Sequence, residues 1–505
     1  MKRKNELSKW SQYALVLLVS VMCLLSLYWF YAATGLLAGL DLAIVLSGIL
    51  ILALLFVSKK GLRWAGLVLQ KAMPISLILL VSLQIAMLLS TNLMIRSDAA
   101  MVYNGASKLV DSAIISSYLT ENTNNLTLFL YERFFYNIFG SNAIWVLQGL
   151  NMLFVDSAAI GLYGLALRFF NKKTAVISFY AYLLILAATP QFLAMYTDVM
   201  AMPIVVWQLY LVFSLMDQKS LAWSGVLMRG VFLGSLSGLA YAIRPPLLVL
   251  MIAFFMMLFL YGKAKLLLQA SLGFLLGFAL LFVTLTVIQK NQDQVEITYG
   301  QSKTSLAFID LGLTYLGTDQ ADFQSGLALF TDEVTDGSYD GRYSNEVVLK
   351  DIKRRLEDYS LSTFVGHLLL KSSLTLRDGT LGWTYKDASL EGASFQNPLY
   401  EKFKDQSWAK WISSHLIYTD QEHFVFARSY LQLVWLVLIL GLLLVFLWPR
   451  SLGIKEHFLL LALLGGFLFL MVFEGSKTRY MIQFLPQFLL LSAAGFDKLI
   501  TRRLS

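Results

Sequence analysis

Long apolar runs separated by short polar stretches dominate the chain from residue 11 onward. A helix needs about 20 mostly apolar residues to cross the hydrocarbon core of a bilayer, and by that measure the pattern predicts about twelve membrane-spanning helices. They lie near 11–33, 39–57, 73–92, 143–167, 174–192, 199–216, 224–242, 247–262, 266–288, 429–448, 457–473 and 480–497. We therefore predict an all-α polytopic membrane protein.

Basic residues between the apolar runs predict the side of the membrane that each connection faces. Every second connection carries lysine or arginine, and short basic loops stay on the cytoplasmic side of a membrane. These residues are Lys59, Lys60, Arg63 and Lys71; Arg168, Lys172 and Lys173; Lys219; Lys263 and Lys265; Arg450 and Lys455; and Lys498, Arg502 and Arg503. Both termini are therefore predicted to be cytoplasmic, and the long polar segments to face outside.

Two long segments remain on the predicted outer side. Loop 93–142 is half apolar, which predicts one or two helices lying in the membrane interface. Segment 289–428 is rich in Asp, Gly, Ser and Tyr, and it predicts an extracellular domain of mixed structure. The chain is thus divided into a nine-helix transmembrane module at 1–288, this extracellular domain, and three C-terminal transmembrane helices at 429–505.

Composition agrees with this division. Hydrophobic residues make up 57% of the chain and charged residues 14%, whereas soluble proteins carry about 25% charged residues. The net charge of +8 comes mostly from the basic connections, so it indicates topology and not nucleic-acid binding. The one cysteine, Cys23, excludes an intrachain disulfide and a cysteine-based metal site. We expect the first apolar run to be retained because no clear cleavage site follows it.

Two aspartates stand at predicted outer mouths of helices. Asp98 follows the third apolar run, and Asp198 precedes the sixth. Each could be a helix N-cap. Alternatively, two carboxylates at one membrane level could accept a proton or share a divalent cation such as Mg²⁺ or Mn²⁺. We therefore take both as candidate catalytic residues and as possible metal ligands.

Basic residues are also predicted at the outer side of the membrane. Arg244 ends a helix before two prolines, where it could either snorkel to lipid headgroups or bind a phosphate through paired hydrogen bonds. The turn between the last two apolar runs contains Glu474, Lys477, Arg479 and Tyr480. A polar turn needs fewer charges, so these residues could form an ion pair or hold a lipid-linked phosphate.

Loop 93–142 adds Glu121, Glu132 and Arg133 as candidates for a supporting acid or cation. An interfacial helix normally carries some charged residues on its polar face, which is the alternative interpretation. We include Glu132 and Arg133 in the candidate substrate-binding set.

In this order, the motifs resemble those of GT-C fold membrane glycosyltransferases, in the neighbourhood of the protein mannosyltransferase and aminoarabinose transferase families. The matching residues are Asp98, Asp198, Pro203, Arg244, Glu474, Arg479, Tyr480 and Pro486. The chain departs from the pattern at Ala99, where many such enzymes have a second acid. It also has its first aspartate after the third apolar run and not after the first.

This resemblance implies an enzyme that moves a sugar from a polyprenyl-phosphate donor to a cell-envelope acceptor, either wall polysaccharide or teichoic acid. Asp98 would be the general base of an inverting displacement. Arg244, with Lys477 or Arg479, would bind the phosphate, and Asp198 would position the acceptor or help to hold a metal. The enzyme would lie among the lipids of a bacterial plasma membrane, with its active site facing outside.

Two other functions remain open at this point. One is a polymerase or ligase of polysaccharides that uses lipid-diphosphate glycans. The other is a flippase or transporter of lipid-linked sugars. Transporters often place charges near the bilayer midplane and have repeated halves, whereas here the charges fall mostly at the ends of the apolar runs.

Overall fold

The computed structural model describes residues 8–92, 97–217, 222–335, 341–386 and 398–504, and these residues form helices and turns without a strand. The α-helices are α1 (Lys9–Thr34), α2 (Leu42–Val57), α3 (Lys59–Leu89), α4 (Ser97–Ala106), α5 (Ser112–Glu121), α6 (Leu126–Phe139), α7 (Ala143–Phe169), α8 (Lys172–Tyr182), α9 (Thr197–Met216), α10 (Trp223–Ile243), α11 (Val249–Leu260), α12 (Ala264–Asn291), α13 (Ser305–Leu313), α14 (Gln320–Thr335), α15 (Asn345–Asp358), α16 (Leu361–Leu376), α17 (Pro398–Phe403), α18 (Ser407–Ile412), α19 (Phe424–Val445), α20 (Ile454–Val472) and α21 (Leu485–Leu504).

Eight segments of the described chain are long and apolar enough to cross a membrane. They contain α1, α3, α7, α9, α10, α12, α19 and α20, each of which coincides with a predicted span. The protein is therefore an all-α polytopic membrane protein, as predicted. The other four predicted spans coincide with α2, α8, α11 and α21, which are shorter or more highly charged, so the total of twelve stays a prediction.

One predicted boundary is wrong. The pattern predicts a basic loop before a span that begins at residue 73, but α3 is already helical from Lys59. The Ser58 hydroxyl accepts a hydrogen bond from the Gly61 amide at 3.0 Å and caps the helix start. Pro74 lies inside the helix without ending it. The basic residues therefore lie on the first turns of α3, which apolar periodicity alone does not show.

Helix α9 lies at the centre of the membrane bundle. In the most apolar 18-residue stretch of α9, 72% of the residues are buried. In the corresponding stretch of α12, which lies at the periphery, 11% are buried. Helices α10 and α12 pack closely because glycines face each other along their contact. A Cβ atom at Gly234 would collide with the Phe274 carbonyl, and one at Gly277 with the Val231 carbonyl. Small residues permit this close approach of membrane helices, which fixes the end of α10 against α12.

Loop 93–142 folds into three helices, α4 to α6, within its described part. A small apolar core holds them together; it contains Val102, Ala106, Ile115, Leu119, Leu126, Leu128 and Phe129. Val295, from the chain after α12, completes this core. The loop helices therefore form one body with the start of the long outer segment.

The described part of segment 289–428 divides into two regions. Helices α13 to α15 have their own apolar core around Phe323, Leu327 and Val347. By contrast, Leu376, Trp383 and residues around α18 belong to the large core of the bundle. We call the end of the bundle that carries α4–α6 and α13–α18 the loop-bearing end.

A buried lysine ties this region to the bundle. Lys371 in α16 is 1% exposed, and its Nζ donates hydrogen bonds to the carbonyls of Gly312, Met471 and Phe473 at 2.9, 3.0 and 2.7 Å. These carbonyls end α13 and α20, where a cation is favoured by the helix dipole. Burial lowers the pKa of Lys371 to about 8. The turn that begins at Glu474 therefore starts from a fixed position.

Candidate functional site

A cavity of about 900 Å³ opens at the loop-bearing end. Its walls come from α4, the 122–125 turn, the ends of α10, α12 and α20, and the chain from 303 to 323. Six of the residues predicted from the sequence line it: Asp98, Arg244, Glu474, Lys477, Arg479 and Tyr480. Residues from distant parts of the sequence thus meet in one place.

Asp198 lies behind the cavity wall, between two arginines. Its Oδ1 is 2.8 Å from Arg244 Nη2, and its Oδ2 is 3.5 Å from Arg479 Nε. The Asp198 side chain is only 7% exposed. One carboxylate therefore faces two guanidinium groups, and the cluster keeps an excess positive charge next to the cavity.

Local backbone preferences place these three side chains. Asp198 is in the first turn of α9, where the helix dipole favours an anion. Arg244 follows α10 with an extended backbone (φ −156°, ψ 90°), as expected for a residue before proline. Arg479 is in a 3₁₀ turn that runs from Thr478 to Phe484. Ser476, just before that turn, has φ 62°, a conformation that non-glycine residues rarely adopt.

Neighbouring polar groups fix the orientation of Arg244. Its Nη1 donates to the Thr197 hydroxyl at 2.9 Å, and its Nε donates to Gln483 Oε1 at 3.2 Å. Arg479 is less constrained: among the described residues, its terminal nitrogens donate no hydrogen bond. The Arg479 side chain is 27% exposed. Its guanidinium can therefore offer paired donors to a ligand in the cavity.

Aromatic rings support the cations. The guanidinium carbons of Arg244 and Arg479 each lie 5.6 Å from the centre of the Tyr480 ring, and Lys477 Nζ lies 5.8 Å from it. Arg479 also lies 5.2 Å from the Tyr196 ring. Such contacts stabilise a cation while leaving its N–H groups available. Tyr480 thus holds three positive charges around one ring.

Glu474 and Lys477 form an ion pair at one edge of the cavity. Lys477 Nζ lies 2.7 Å from Glu474 Oε1, and the Thr318 hydroxyl donates to the same oxygen at 3.0 Å. Burial alone would raise the pKa of Glu474, but Lys477, Tyr480 and Thr318 together hold it below its ordinary value. The Glu474 carboxylate is therefore ionised at neutral pH and neutralises the positive charge of Lys477.

Asp98 stands in the first turn of α4 and is exposed to the cavity. Its Oδ1 accepts a hydrogen bond from the Tyr118 hydroxyl at 2.9 Å. Asn125 Nδ2 donates to Tyr118 at 2.7 Å, and the Tyr196 hydroxyl approaches Asn125 Oδ1 at 3.4 Å. Burial, and then the charge of Asp98, raise the pKa of Tyr118. Because Tyr118 stays protonated, it can orient Asp98 without taking its place as a base.

The other predicted positions are not brought to the cavity. Glu132 is buried in α6. Arg133 Nη2 donates to the Gly105 carbonyl at 2.7 Å and joins α6 to α4. Neither residue lines the cavity. Both side chains are buried among the loop helices. The sequence alone does not show which way a charged side chain in an apolar run is directed.

A divalent cation does not suit the surroundings of Asp198, because both of its carboxylate oxygens already face guanidinium groups. Among the described residues, no group of three or more His, Cys, Asp or Glu side chains is placed so that it could hold a metal ion.

The contributors to the site that were not predicted from the sequence include Tyr118, Asn125, Lys303 and Gln483. Gln483 follows Arg479 by four residues and Tyr480 by three, so its nearness to the charged turn was a usable signal. Tyr118 and Asn125 stand in an ordinary polar stretch without such a signal. Lys303 is one lysine of a long polar segment, and only folding brings it to the cavity.

The fold and the cavity define an integral membrane protein with a charged site at one end of its helices. A family model described as "Conserved hypothetical integral membrane protein" matches residues 11–499, so the chain belongs to that family. A search of curated proteins and a search of solved structures found no match.

Proposed function

We propose that this protein is a membrane glycosyltransferase of the GT-C type, which moves a sugar from a polyprenyl-phosphate donor to a cell-envelope glycan. The observation that carries the proposal is the meeting of Asp98 with Arg244 and Arg479 in one cavity. A carboxylate that can take a proton and cations that can hold a phosphate are the two requirements of such a transfer.

The leaving group sets the role of the arginines. When the bond between the anomeric carbon and the phosphate oxygen breaks, the electron pair stays on polyprenyl phosphate, whose negative charge increases. Arg479 can donate to that phosphate because its terminal nitrogens make no protein hydrogen bond among the described residues. Arg244 is held by Thr197 and Gln483 and supplies a fixed charge. Fixed cations stabilise such developing charge without reorganising.

The acceptor hydroxyl sets the role of Asp98. A sugar hydroxyl is a poor nucleophile until its proton is removed. In the proposed step Asp98 takes this proton as the hydroxyl oxygen bonds to the anomeric carbon from the face opposite the phosphate, and the configuration inverts. The hydrogen bond from Tyr118 holds the Asp98 carboxylate toward the cavity. Asp198 acts through the arginines as a positioning residue.

The walls of the cavity suit a donor that arrives within the membrane. Phe282, Leu285 and Thr286 of α12 line one side together with Phe469 and Phe473 near the end of α20. Helix α12 is only 11% buried in its most apolar window, so its outer face is open to lipid. A lipid chain can thus lie along α12 while its phosphate reaches the arginines. At about 900 Å³ the cavity also has room for an acceptor sugar.

The test uses the purified full chain in proteoliposomes. Radiolabelled polyprenyl-phosphate hexoses and polyprenyl-phosphate aminoarabinose are incorporated separately, and a bacterial cell-envelope fraction is added as acceptor. We expect label from one of these donors to enter the envelope polymer with inverted anomeric configuration. Transfer only from polyprenyl-diphosphate glycans, or movement of the lipid across the bilayer without transfer, would overturn the proposal.

A matched pair of variants completes the test. Arg479→Gln should weaken use of the active donor by about tenfold or more, since a charge-assisted contact to phosphate is lost. Lys353→Gln, on the exposed face of α15, should not change it, because that side chain is 78% exposed and lies outside the cavity. Equal donor use by both variants would remove Arg479 from the phosphate site.

A further inference from the structure

Among the described residues, Lys303 is the cavity-lining cation that forms no ion pair with a carboxylate. Four cationic side chains line the cavity, namely Arg244, Lys303, Lys477 and Arg479. Both arginines face Asp198, and Lys477 pairs with Glu474. Lys303 makes no ion pair with any carboxylate in the part of the chain that the structure describes. Its positive charge is therefore left for something that enters the cavity.

Glu121 is the carboxylate whose charge acts most strongly on Lys303, but it is already paired. Glu121 forms an ion pair with Arg342 and accepts a hydrogen bond from the Tyr343 hydroxyl at 3.3 Å. Lys303 Nζ instead donates to the neutral side chain of Asn122 at 3.0 Å and lies 5.5 Å from the centre of the Tyr343 ring. Neither partner neutralises an ammonium group.

Backbone hydrogen bonds hold Lys303 in its position. Its backbone amide donates to the Glu121 carbonyl at 2.9 Å, and the Thr298 amide donates to the Thr120 hydroxyl at 3.1 Å. These bonds fasten the chain after α12 to the end of α5. Burial lowers the pKa of Lys303 although Glu121 and Asp98 oppose this, so an anion beside it would relieve an unfavourable charge.

The neighbours of Lys303 differ from those of the arginines. Asn122, Thr123 and Asn124 adjoin it on one side, and Thr304 and Ser305 follow it on the other. Amide and hydroxyl groups of this kind suit sugar hydroxyls. By contrast, Phe282 of the apolar α12 wall packs against the ring of Tyr241, three residues before Arg244.

We propose that Lys303 and Asn122 form a second anion subsite, which binds a phosphate or carboxylate group carried by the acceptor glycan. The assignment of this anion to the acceptor rests on the proposed transferase function. The acceptor would then be an anionic polymer, held with its anion at Lys303 and its attacking hydroxyl at Asp98. The phosphate of the donor would remain at the arginines.

The test measures binding to the purified full chain in nanodiscs and needs no turnover. The probes are an oligomer of glycerol phosphate, an oligogalacturonate, and a neutral dextran oligosaccharide of similar length. We expect Lys303→Gln to weaken at least one anionic probe by about tenfold or more while dextran binding is unchanged. The anionic probe that responds identifies phosphate or carboxylate as the group recognised.

Two controls keep the result interpretable. Lys303→Arg should restore anion binding to within about threefold, which shows that charge and not misfolding is responsible. Lys353→Gln removes an exposed lysine of the same segment and should change nothing. Unchanged anion binding in Lys303→Gln, or equal weakening of dextran, would overturn the subsite.

This result is separable from that of the transfer assay. Sugar transfer that depends on Asp98, together with anion binding that is independent of Lys303, would reject the subsite alone. Anion binding that depends on Lys303, without transfer from any polyprenyl-phosphate donor, would reject the proposed transferase instead.

Discussion

The carboxylate between the two arginines allows a quantitative prediction for Asp198→Asn. This substitution keeps the side-chain shape and removes one negative charge, which leaves Arg244 and Arg479 facing each other. Removing one partner of a buried ion pair destabilises a protein by about 3–5 kcal/mol. Arg244 is 9% exposed and Arg479 27% exposed, so water screens part of the Arg479 contribution. We therefore expect a loss near the lower limit, about 3 kcal/mol, or roughly a hundredfold in the unfolding equilibrium.

The assay is reversible denaturant unfolding of the purified protein in bicelles, followed by tryptophan fluorescence. Asp293→Asn is the matched control, because Asp293 is exposed near the same end of the molecule. Adding Arg244→Gln to Asp198→Asn should recover part of the loss, since it removes the repulsion that the first substitution creates. A loss below about 0.5 kcal/mol, equal to that of the control, would refute the buried-pair reasoning.

Three further predictions concern groups that support the site. Tyr118→Phe should lower the turnover number more than it changes the donor KM, because it frees the Asp98 carboxylate to rotate; the reverse pattern in steady-state kinetics would contradict this role. The depressed pKa of Glu474 means that its carboxylate stabilises the fold only while ionised. The stability advantage of the wild type over Glu474→Gln should therefore be full well above pH 4.5 and should shrink as pH falls below it; a constant difference down to pH ~3 would be contrary. The pKa of Lys371 is lowered to about 8 from 10.5, so the folded state loses its proton first. Stability relative to Lys371→Met should accordingly rise between those pH values, by at most about 1.4 kcal/mol per pH unit, and a falling difference in unfolding experiments would contradict the burial of this lysine.

Much of the fold could be predicted from the sequence because bilayer thickness sets the length of an apolar helix. That rule found all of the long spans, including α9 and α12. It could not show that α9 is central and α12 peripheral, because both are apolar all round and only packing tells them apart. It also missed the start of α3, where a serine cap and a tolerated proline override the loss of hydrophobicity.

Site residues could be predicted from the sequence where a charged side chain beside an apolar run is energetically costly. Asp98, Arg244 and Arg479 stand at helix ends beside apolar runs, where an ionised group needs a partner, and all three reach the cavity. Asp198 was predicted as a candidate for the same reason, but its pairing with two arginines depends on contacts between distant segments. Lys303 stands in a polar segment where a lysine is unremarkable, so its place in the cavity follows from the fold alone.

The most direct test of the central claim is the rate of polyprenyl-phosphate release from the active donor in the presence of envelope acceptor. Asp98→Asn removes the proposed base, whose contribution in such reactions is about a hundredfold to ten-thousandfold. We predict a loss of at least about a hundredfold in Asp98→Asn, with normal membrane insertion and unfolding stability, and no loss in Asp293→Asn. Full release by the Asp98→Asn variant would contradict the account.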